Sequence, residues 1–323
     1  MVDAYIDDLV FALGEHKRTA QESAAEGRLL SAAEDLQAAG FRWHHICGPG
    51  LTAYDLARTA VGQLAERDRL RGIDAIIYAT CLPRNANVGS REDWQRTRDV
   101  KHLMDFPASR LQADFRLTGS IVIGLEQQAC TAMLGSLRIA RAMLATEPAW
   151  RRVLCVTADR FPEDAIYEQA YNLISDGAAA CTVSRAQGPF RLIAAHQITN
   201  GGLGRASDDE TVGSYFAYTH KAVSETLAKA GLQPGDINWV VSQNTTERAW
   251  HVLCRMLGID VSRVWAPSMA DAGHVISADN IINLAELQKS GRLRPGDRVL
   301  LAMAGFGMNW QCAVLEATAE AAR

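Results

Sequence analysis

The sequence predicts an α/β protein made of two similar halves that meet near residue 186. Apolar runs of strand length alternate along the chain with longer segments of helical spacing, the pattern of strands joined by helices. Gly235-Asp-Ile-Asn-Trp-Val-Val-Ser242 echoes Gly72-Ile-Asp-Ala-Ile-Ile-Tyr-Ala79, and each run follows a helical segment containing Ala-Val. Asp297-Arg-Val-Leu-Leu-Ala302 echoes Arg152-Val-Leu-Cys-Val156 in the same order, so residues 1–186 and 187–323 read as products of an ancient duplication.

In chain order, a strand is expected near Ala4 to Gly14. Glu15 to Gly40 has the Ala, Glu and Leu content of a helix with solvated faces, and Arg42 to Gly50 reads as a loop turning at Gly48-Pro-Gly50. Thr52 to Leu70 places Leu56, Ala60 and Leu64 on one helical face, and Ile73 to Thr80 follows as a strand. Pro83 to Val100 is polar and loop-like. Ser120 to Leu144 gives an apolar strand, a short polar turn and a helix, with Cys130 where the helix begins. A strand over Arg152 to Thr157, a turn at Asp176-Gly177 and a strand from Ala178 to Ser184 complete the first half. The second half offers a helix from Val212 to Ala230, a strand over Gly235 to Ser242, a helix from Asn280 to Ser290 stopped by Gly291, and a strand from Asp297 to Ala302.

Composition narrows the functions. With 323 residues, 48% of them hydrophobic, the chain can bury a large core. A net charge of −4 without any Lys- or Arg-rich run gives no footprint for nucleic acid or an anionic membrane. No apolar run approaches the ~20 residues of a membrane span, and the first residues lack the basic region of a signal peptide, so a cytoplasmic location is expected. The seven cysteines show neither a Cys-x-x-Cys pair nor histidine spacing suited to a metal, which argues against a disulfide framework and against zinc. Cys81, Cys155, Cys181 and Cys312 lie in or beside strand-like runs and read as core filler, and His44-His45 reads as a packed or solvated pair. Gly201-Gly-Leu-Gly204 lacks the strand and helix context of a dinucleotide fingerprint and reads as a loop.

Cys130 is the candidate nucleophile. The unpaired N–H groups and positive dipole end of a helix start stabilise a thiolate, although a cysteine there can equally be a small buried side chain. His274 precedes Arg298 by 24 residues much as Cys130 precedes Arg152 by 22, so the two stand at matching places in the halves.

Several motifs extend this. Gln128-Ala-Cys-Thr-Ala-Met133 is similar to the Ala-Ala-Cys-Ser-Gly-Phe nucleophile turn of the thiolase superfamily, and in particular of its ketosynthase III (3-oxoacyl-ACP synthase III) branch. Ile174-Ser-Asp-Gly-Ala-Ala179 resembles that family's Phe-Gly-Asp-Gly-Ala-Gly. Gly305-Phe-Gly-Met-Asn-Trp310 resembles its Gly-Gly-Gly-Phe-Thr-Trp loop. The resemblance runs over nearly the whole chain and implies a thiolase-like fold with layered mixed sheets and buried helices. It also implies a homodimer and no tightly bound cofactor, the substrate arriving as a phosphopantetheine thioester on acyl carrier protein or CoA. Two positions depart from the family: its histidine is replaced by Gln243 and its asparagine by His274.

These departures shape the expected chemistry. The resemblance assigns Cys130 as acyl carrier, with the backbone N–H groups of Cys130 and Phe306 as oxyanion donors. His274 becomes the base for a hydroxyl, amine or thiol acceptor, oriented by Asp279 or Asn244. Asp279 could otherwise simply begin the helix Asn280 to Ser290, and Gln243 is either an oxyanion donor or a structural amide. Arg248 matches a family arginine that meets the carrier protein; the alternative is an unpartnered surface residue. Ala38 stands where the family has a CoA-gripping arginine, which favours a carrier-protein donor. The reading is an acyltransferase of specialised biosynthesis passing an acyl group to a small-molecule acceptor. A carbon–carbon condensing enzyme and an inactive partner subunit are the alternatives.

Overall fold

The computed structural model describes residues 3–85, 88–169, 172–205 and 208–322. The first half contains β1 (Tyr5–Leu13), β2 (His16–Thr19), α1 (Ala20–Ala25), α2 (Ala33–Ala38), β3 (Trp43–Ile46), α3 (Ala53–Glu66), β4 (Ala75–Ala79), α4 (Arg91–Thr97), α5 (Pro107–Asp114), β5 (Ile121–Leu125), α6 (Ala132–Thr146), β6 (Arg152–Asp159), β7 (Glu168–Gln169), β8 (Asn172–Leu173) and β9 (Gly177–Ser184). It is followed by β10 (Phe190–Thr199), α7 (Asp208–Ala230), β11 (Trp239–Val241), α8 (Glu247–Leu257), β12 (Val264–Trp265), α9 (Ser268–Ala272), α10 (Asp279–Lys289), β13 (Arg298–Gly305) and β14 (Asn309–Ala317).

Ten strands form one mixed sheet in the order β12-β11-β13-β14-β10-β1-β9-β6-β4-β5. The central joint is the antiparallel pair β1 and β10, matched at Tyr5↔Arg191 and Ile6↔Phe190. Moving outward on either side, one antiparallel partner is followed by three parallel strands: β9 then β6-β4-β5, and β14 then β13-β11-β12. Alternation along each strand divides the core. Ala75 and Ile77 of β4, with Val299 and Leu301 of β13, join α6 and α10 in one apolar cluster. The intervening Ile76 and Tyr78 pack with α3, while Leu300 and Ala302 pack with α7 and α8. The two central helices are thus buried between strands of both halves and covered outside by further helices, a layered α/β architecture. Among the described residues no helix is long and apolar enough to cross a membrane.

The N-terminal region differs from expectation. The stretch read as one helix from Glu15 is β2, α1 and α2, and part of the expected Arg42 to Gly50 loop is β3, paired with β2 from His16↔Ile46 to Thr19↔Trp43. Thr19 explains the helix start: its Oγ1 accepts from the Glu22 N–H at 3.1 Å while the Glu22 carboxylate accepts from the Thr19 N–H at 2.7 Å, a capping box that begins α1 only at Ala20. The polar segment after Pro83 is likewise partly helical, because Ser90 Oγ accepts from the Asp93 N–H at 3.1 Å and caps α4. Helix α6 begins at Ala132, two residues beyond Cys130, which sits in a single 3₁₀ turn from Ala129 to Thr131.

Candidate active site

The Cys130 turn is held by contacts from two strands, β13 and β14. It requires Ala129 at φ +44°, a conformation that costs an L-residue energy and persists only where surroundings impose it. Gln311 of β14 supplies part of that constraint, donating from Nε2 to Gln128 Oε1 at 2.6 Å and to Thr131 Oγ1 at 3.0 Å. The end of β13 supplies more: a Cβ on Gly305 would stand 2.9 Å from the Cys130 nitrogen, so only glycine lets this strand close on the turn. Phe306 follows at the cavity wall and is 53% exposed, so its bulk is not packed into the closest approach.

His274 is fixed by the other half of the molecule. Its N–H donates to the Leu173 carbonyl at 2.7 Å and its own carbonyl accepts from the Ser175 N–H at 2.9 Å, so the Ile174-Ser-Asp-Gly segment clamps it through main chain. Gly273 makes that possible, since at φ +64° a Cβ would fall 2.5 Å from the Leu173 oxygen. His44 backs the clamp from behind. It is fully buried, hydrogen-bonded to Ser23 Oγ and to the Ile174 carbonyl at 2.7 Å each, and burial lowers its pKa to about 4, leaving a neutral packed ring.

The imidazole is oriented by Asp279. A carboxylate only accepts, so Nδ1 of His274 is the donor to Asp279 Oδ2 at 2.6 Å, and Nε2 is turned the other way. Asp279 is itself fixed by the N–H groups of Val275 at 2.7 Å and Asn244 at 2.8 Å. The side chain of Asn244 is consumed elsewhere: Nδ2 donates to Ser268 Oγ and the Gly273 carbonyl, and Oδ1 accepts from Asn283. Between the two orienting candidates, the contact to the ring belongs to Asp279, and Asn244 supports it only through its backbone.

Nε2 of His274 is buried and has no hydrogen bond of full geometry. Opposite it lies the Cys130 thiol, near enough to share a hydrogen bond with the imidazole without being aligned for a full one. Catalytic contacts often tighten only when substrate arrives. Cys81 completes the group. Its thiol is a hydrogen-bond partner of Cys130 and the largest cause of a Cys130 pKa held down to about 5; burial opposes the shift, and the hydrogen bond and charge of His274 add to it. Burial disfavours the His274 cation, but the charge and hydrogen bond of Asp279, and then Cys130, outweigh it and raise the pKa to about 10. Between those values the resting pair is thiolate and imidazolium. Cys81 does pack against the core, as its place beside an apolar run suggested, and its thiol is in addition a partner of the candidate nucleophile. It is partly buried, just past the carboxyl end of β4, and its position there is the signal that could have found it, because sites of α/β sheets gather at such strand ends.

A cavity of about 240 Å³ opens onto Cys130, lined among others by Gln243, Thr245, Phe216, Phe306 and Trp310; among the described residues, its wall holds no Asp, Glu, Lys or Arg side chain. Gln243 Oε1 accepts from the Ala304 N–H at 3.1 Å, which leaves the amide NH₂ as its free function beside the cavity. Arg248 is exposed on the first turn of α8, between the wall residues Thr246 and Ala249. Among the described residues no group of three or more His, Cys, Asp or Glu is placed to hold a metal.

Comparison with known proteins agrees with this arrangement. The family described as 3-oxoacyl-[acyl-carrier-protein (ACP)] synthase III matches residues 126–201, and its C-terminal family matches residues 227–317. The chain belongs to the ketosynthase III-like branch of the thiolase superfamily. Among its relatives, the β-ketoacyl-[acyl-carrier-protein] synthase III of Chlamydia caviae is 28% identical over 85% of this chain and 86% of its own. That of Rhodobacter capsulatus is 25% identical over 92% and 94%. In fold, this ketosynthase III-like protein is similar to ChlB3, named as an acyltransferase, at a TM-score of 0.82 and 21% identity over 99% of each chain. It is also similar to the priming β-ketosynthase of the R1128 polyketide pathway, at 0.80 and 18% over 98% and 96%. The protein is thus an enzyme of the acyl-transferring or condensing ketosynthase class.

Proposed function

We propose that this enzyme is an acyltransferase that takes an acyl group from a phosphopantetheine thioester onto Cys130 and passes it to a hydroxyl, amine or thiol. The observation that carries the reading is the buried Nε2 of His274, unpartnered by any full hydrogen bond, facing the thiol while Nδ1 is committed to Asp279. Cys130 as thiolate attacks the donor carbonyl, and the oxyanion is held by the backbone N–H groups of Cys130 and Phe306. The pantetheine sulfur leaves and takes the Nε2 proton. His274 is then a neutral base, removes the proton of the acceptor, and is reprotonated in net terms when the acceptor attacks the acyl carbon and Cys130 departs as thiolate. One proton thus passes from acceptor to pantetheine in each turnover.

The donor is read as an acyl carrier protein rather than CoA. Arg248, exposed on the first turn of α8, supports this as the contact for an acidic partner, and the relatives named above are named for such carriers. No tightly bound cofactor is needed for these steps. Residues 1–186 and 187–323 are read as the duplicated halves, supported by the mirrored strand order about β1 and β10. A homodimer formed along β5 is supported by its place at the sheet edge and by the exposure of Ile121 and Val122, with Leu103, Met104 and Phe106 also exposed. A cytoplasmic location suits seven free thiols.

One observation favours condensation as a second reading: the Gln243 NH₂ at the cavity and the His274 imidazolium in contact with Cys130 are both donors and could hold an enolate oxygen. An inactive partner subunit would have no use for an ionised thiol. Incubation with acyl carrier protein thioesters followed by intact mass measurement tests the proposal. A mass gain of one acyl group that disappears in Cys130→Ala is expected, and discharge of that group by small nucleophiles should follow. Release of CO₂ from malonyl thioester, without discharge to heteroatom acceptors, would establish condensation instead.

A further inference from the structure

Seven cysteines are free in this protein, and two pairs of them are in side-chain contact. Cys155 and Cys181 face each other across β6 and β9, in register and fully buried. Cys81 and Cys130 form the second pair, whose setting is different. β4 and β5 are parallel neighbours with Ala79 opposite Leu125, and the Thr80 N–H donates to the Leu125 carbonyl at 3.3 Å. The two cysteines lie in the segments that leave these adjacent strand ends, and both pack at the same core cluster with their thiols in hydrogen-bond contact. The Cys81 side is also pinned. Asp159, buried at the end of β6, accepts from Thr80 Oγ1 at 2.6 Å, from the Cys81 N–H at 2.8 Å and from Asn85 Nδ2 at 3.3 Å. Of the seven thiols, Cys81 alone is only partly buried, and Cys130 opens onto the cavity.

We propose that Cys130 and Cys81 form a peroxide-sensitive dithiol, in which Cys81 resolves oxidised Cys130 into a reversible disulfide that shuts the acyl site. This rests on the reading of Cys130 as the ionised nucleophile. The Cys130 thiolate attacks one oxygen of hydrogen peroxide, the O–O bond breaks, hydroxide leaves, and Cys130 becomes a sulfenic acid. The Cys81 sulfur then attacks the Cys130 sulfur, the S–O bond breaks, water leaves with the Cys81 proton, and the S–S bond forms. Two electrons pass from the sulfurs to peroxide. A dithiol reductant returns both thiols by exchange. Capture by Cys81 protects the nucleophile from further, irreversible oxidation to the sulfinic acid. The buried strand pair has no route for peroxide, and Cys181 is pushed well above the usual thiol range by its hydrogen bond to Cys155 and by burial. It is the internal control.

The test is made on the intact reduced protein at neutral pH with a few equivalents of hydrogen peroxide, followed by alkylation and non-reducing peptide mapping. A peptide pair linked through Cys81 and Cys130, two hydrogens lighter than its parts, is expected, with Cys155 and Cys181 alkylated only after denaturation. Acyl loading should fall in step with the link and return with dithiothreitol. In Cys81→Ala, normalised to its own untreated loading, the same peroxide should convert Cys130 to sulfinic acid and dithiothreitol should restore nothing. Sulfinic acid at Cys130 in the unsubstituted protein with Cys81 still free, or a link at Cys155–Cys181 instead, would overturn the proposal. The map on the unsubstituted protein decides this even if the variant misfolds. It needs no acyl donor, so a failed acyl loading experiment and a failed disulfide experiment are separate results.

Discussion

Two short 3₁₀ turns lead into the two buried helices, Ala129–Thr131 before α6 and Ile276–Ala278 before α10, and they do opposite work. Each contains or borders a non-glycine residue with positive φ, Ala129 at +44° and Ile276 at +50°, so both are conformations imposed by surroundings. The thiol turn is shaped mainly by close packing, with Gly305 against its backbone and Gln311 bridging its side chains. The imidazole turn is shaped by hydrogen bonds, main-chain ones to 173–175 and carboxylate ones through Asp279. The difference follows from the chemistry each must support. A thiolate needs donors nearby and tolerates some freedom, whereas a base that exchanges protons at Nε2 must keep Nδ1 committed and its ring fixed.

Breaking the imidazole side should have the largest effect. His274→Ala is expected to lower turnover by up to about 10⁴-fold, while Cys130 loading falls far less because the Cys81 donor remains; stopped-flow loading and steady-state rates measured together show whether the two separate. Equal losses in both would mean that His274 acts only on the first half-reaction. Asp279→Asn keeps the shape but presents an amide to Nδ1, which can hold the ring in the wrong tautomer, so a drop of about 10³-fold in turnover is expected with little change in thermal stability. Its pH profile sharpens the point: without the carboxylate the His274 pKa falls from about 10, so the basic limb of the rate profile should move to lower pH. Gly273→Ala sets a side chain against the Leu173 carbonyl and should cost about 2 kcal/mol of stability in urea titration, with the His274 clamp loosened.

Much of this arrangement was legible in the sequence, and the reasons are local. The Cys130 turn, the Asp176-Gly177 turn and the His274 loop each carry short motifs whose order survives divergence, and strands such as β4, β6 and β13 declare themselves by continuous apolar runs. The hairpin of β2 and β3 was not legible, because His16-Lys-Arg-Thr19 is polar and its pairing depends on Trp43 to Ile46 far along the chain. The choice between Asp279 and Asn244 was open because both lie at the right spacing, and only the direction of the Asn244 side chain, drawn away by Ser268, Gly273 and Asn283, decides it. Cys81 was hidden for a related reason: its partner Cys130 lies 49 residues later, and only its place just past the carboxyl end of an apolar strand marks it.

The smallest predicted effect is the one that separates the two ways of holding the thiolate. If the helix entrance alone kept Cys130 ionised, Cys81→Ala would leave its alkylation profile unmoved. If the Cys81 thiol is the main donor, its loss raises the Cys130 pKa from about 5 toward the ordinary thiol value of 9.0, with His274 retaining part of the shift. The sign then fixes the experiment. A depressed thiol is ionised above its folded pKa and protonated below it, so the unsubstituted protein should react with iodoacetamide at a rate that holds down to mildly acid pH and fades as pH falls through about 5. In Cys81→Ala the fade should begin at higher pH, giving a rate loss of roughly two- to tenfold at pH 6 and none above pH 9, where both thiols are fully ionised. A uniform loss at every pH would point to a disturbed turn rather than a lost donor. A profile identical to that of the unsubstituted protein would return the role to the helix start and leave His274 as the thiolate's sole side-chain partner.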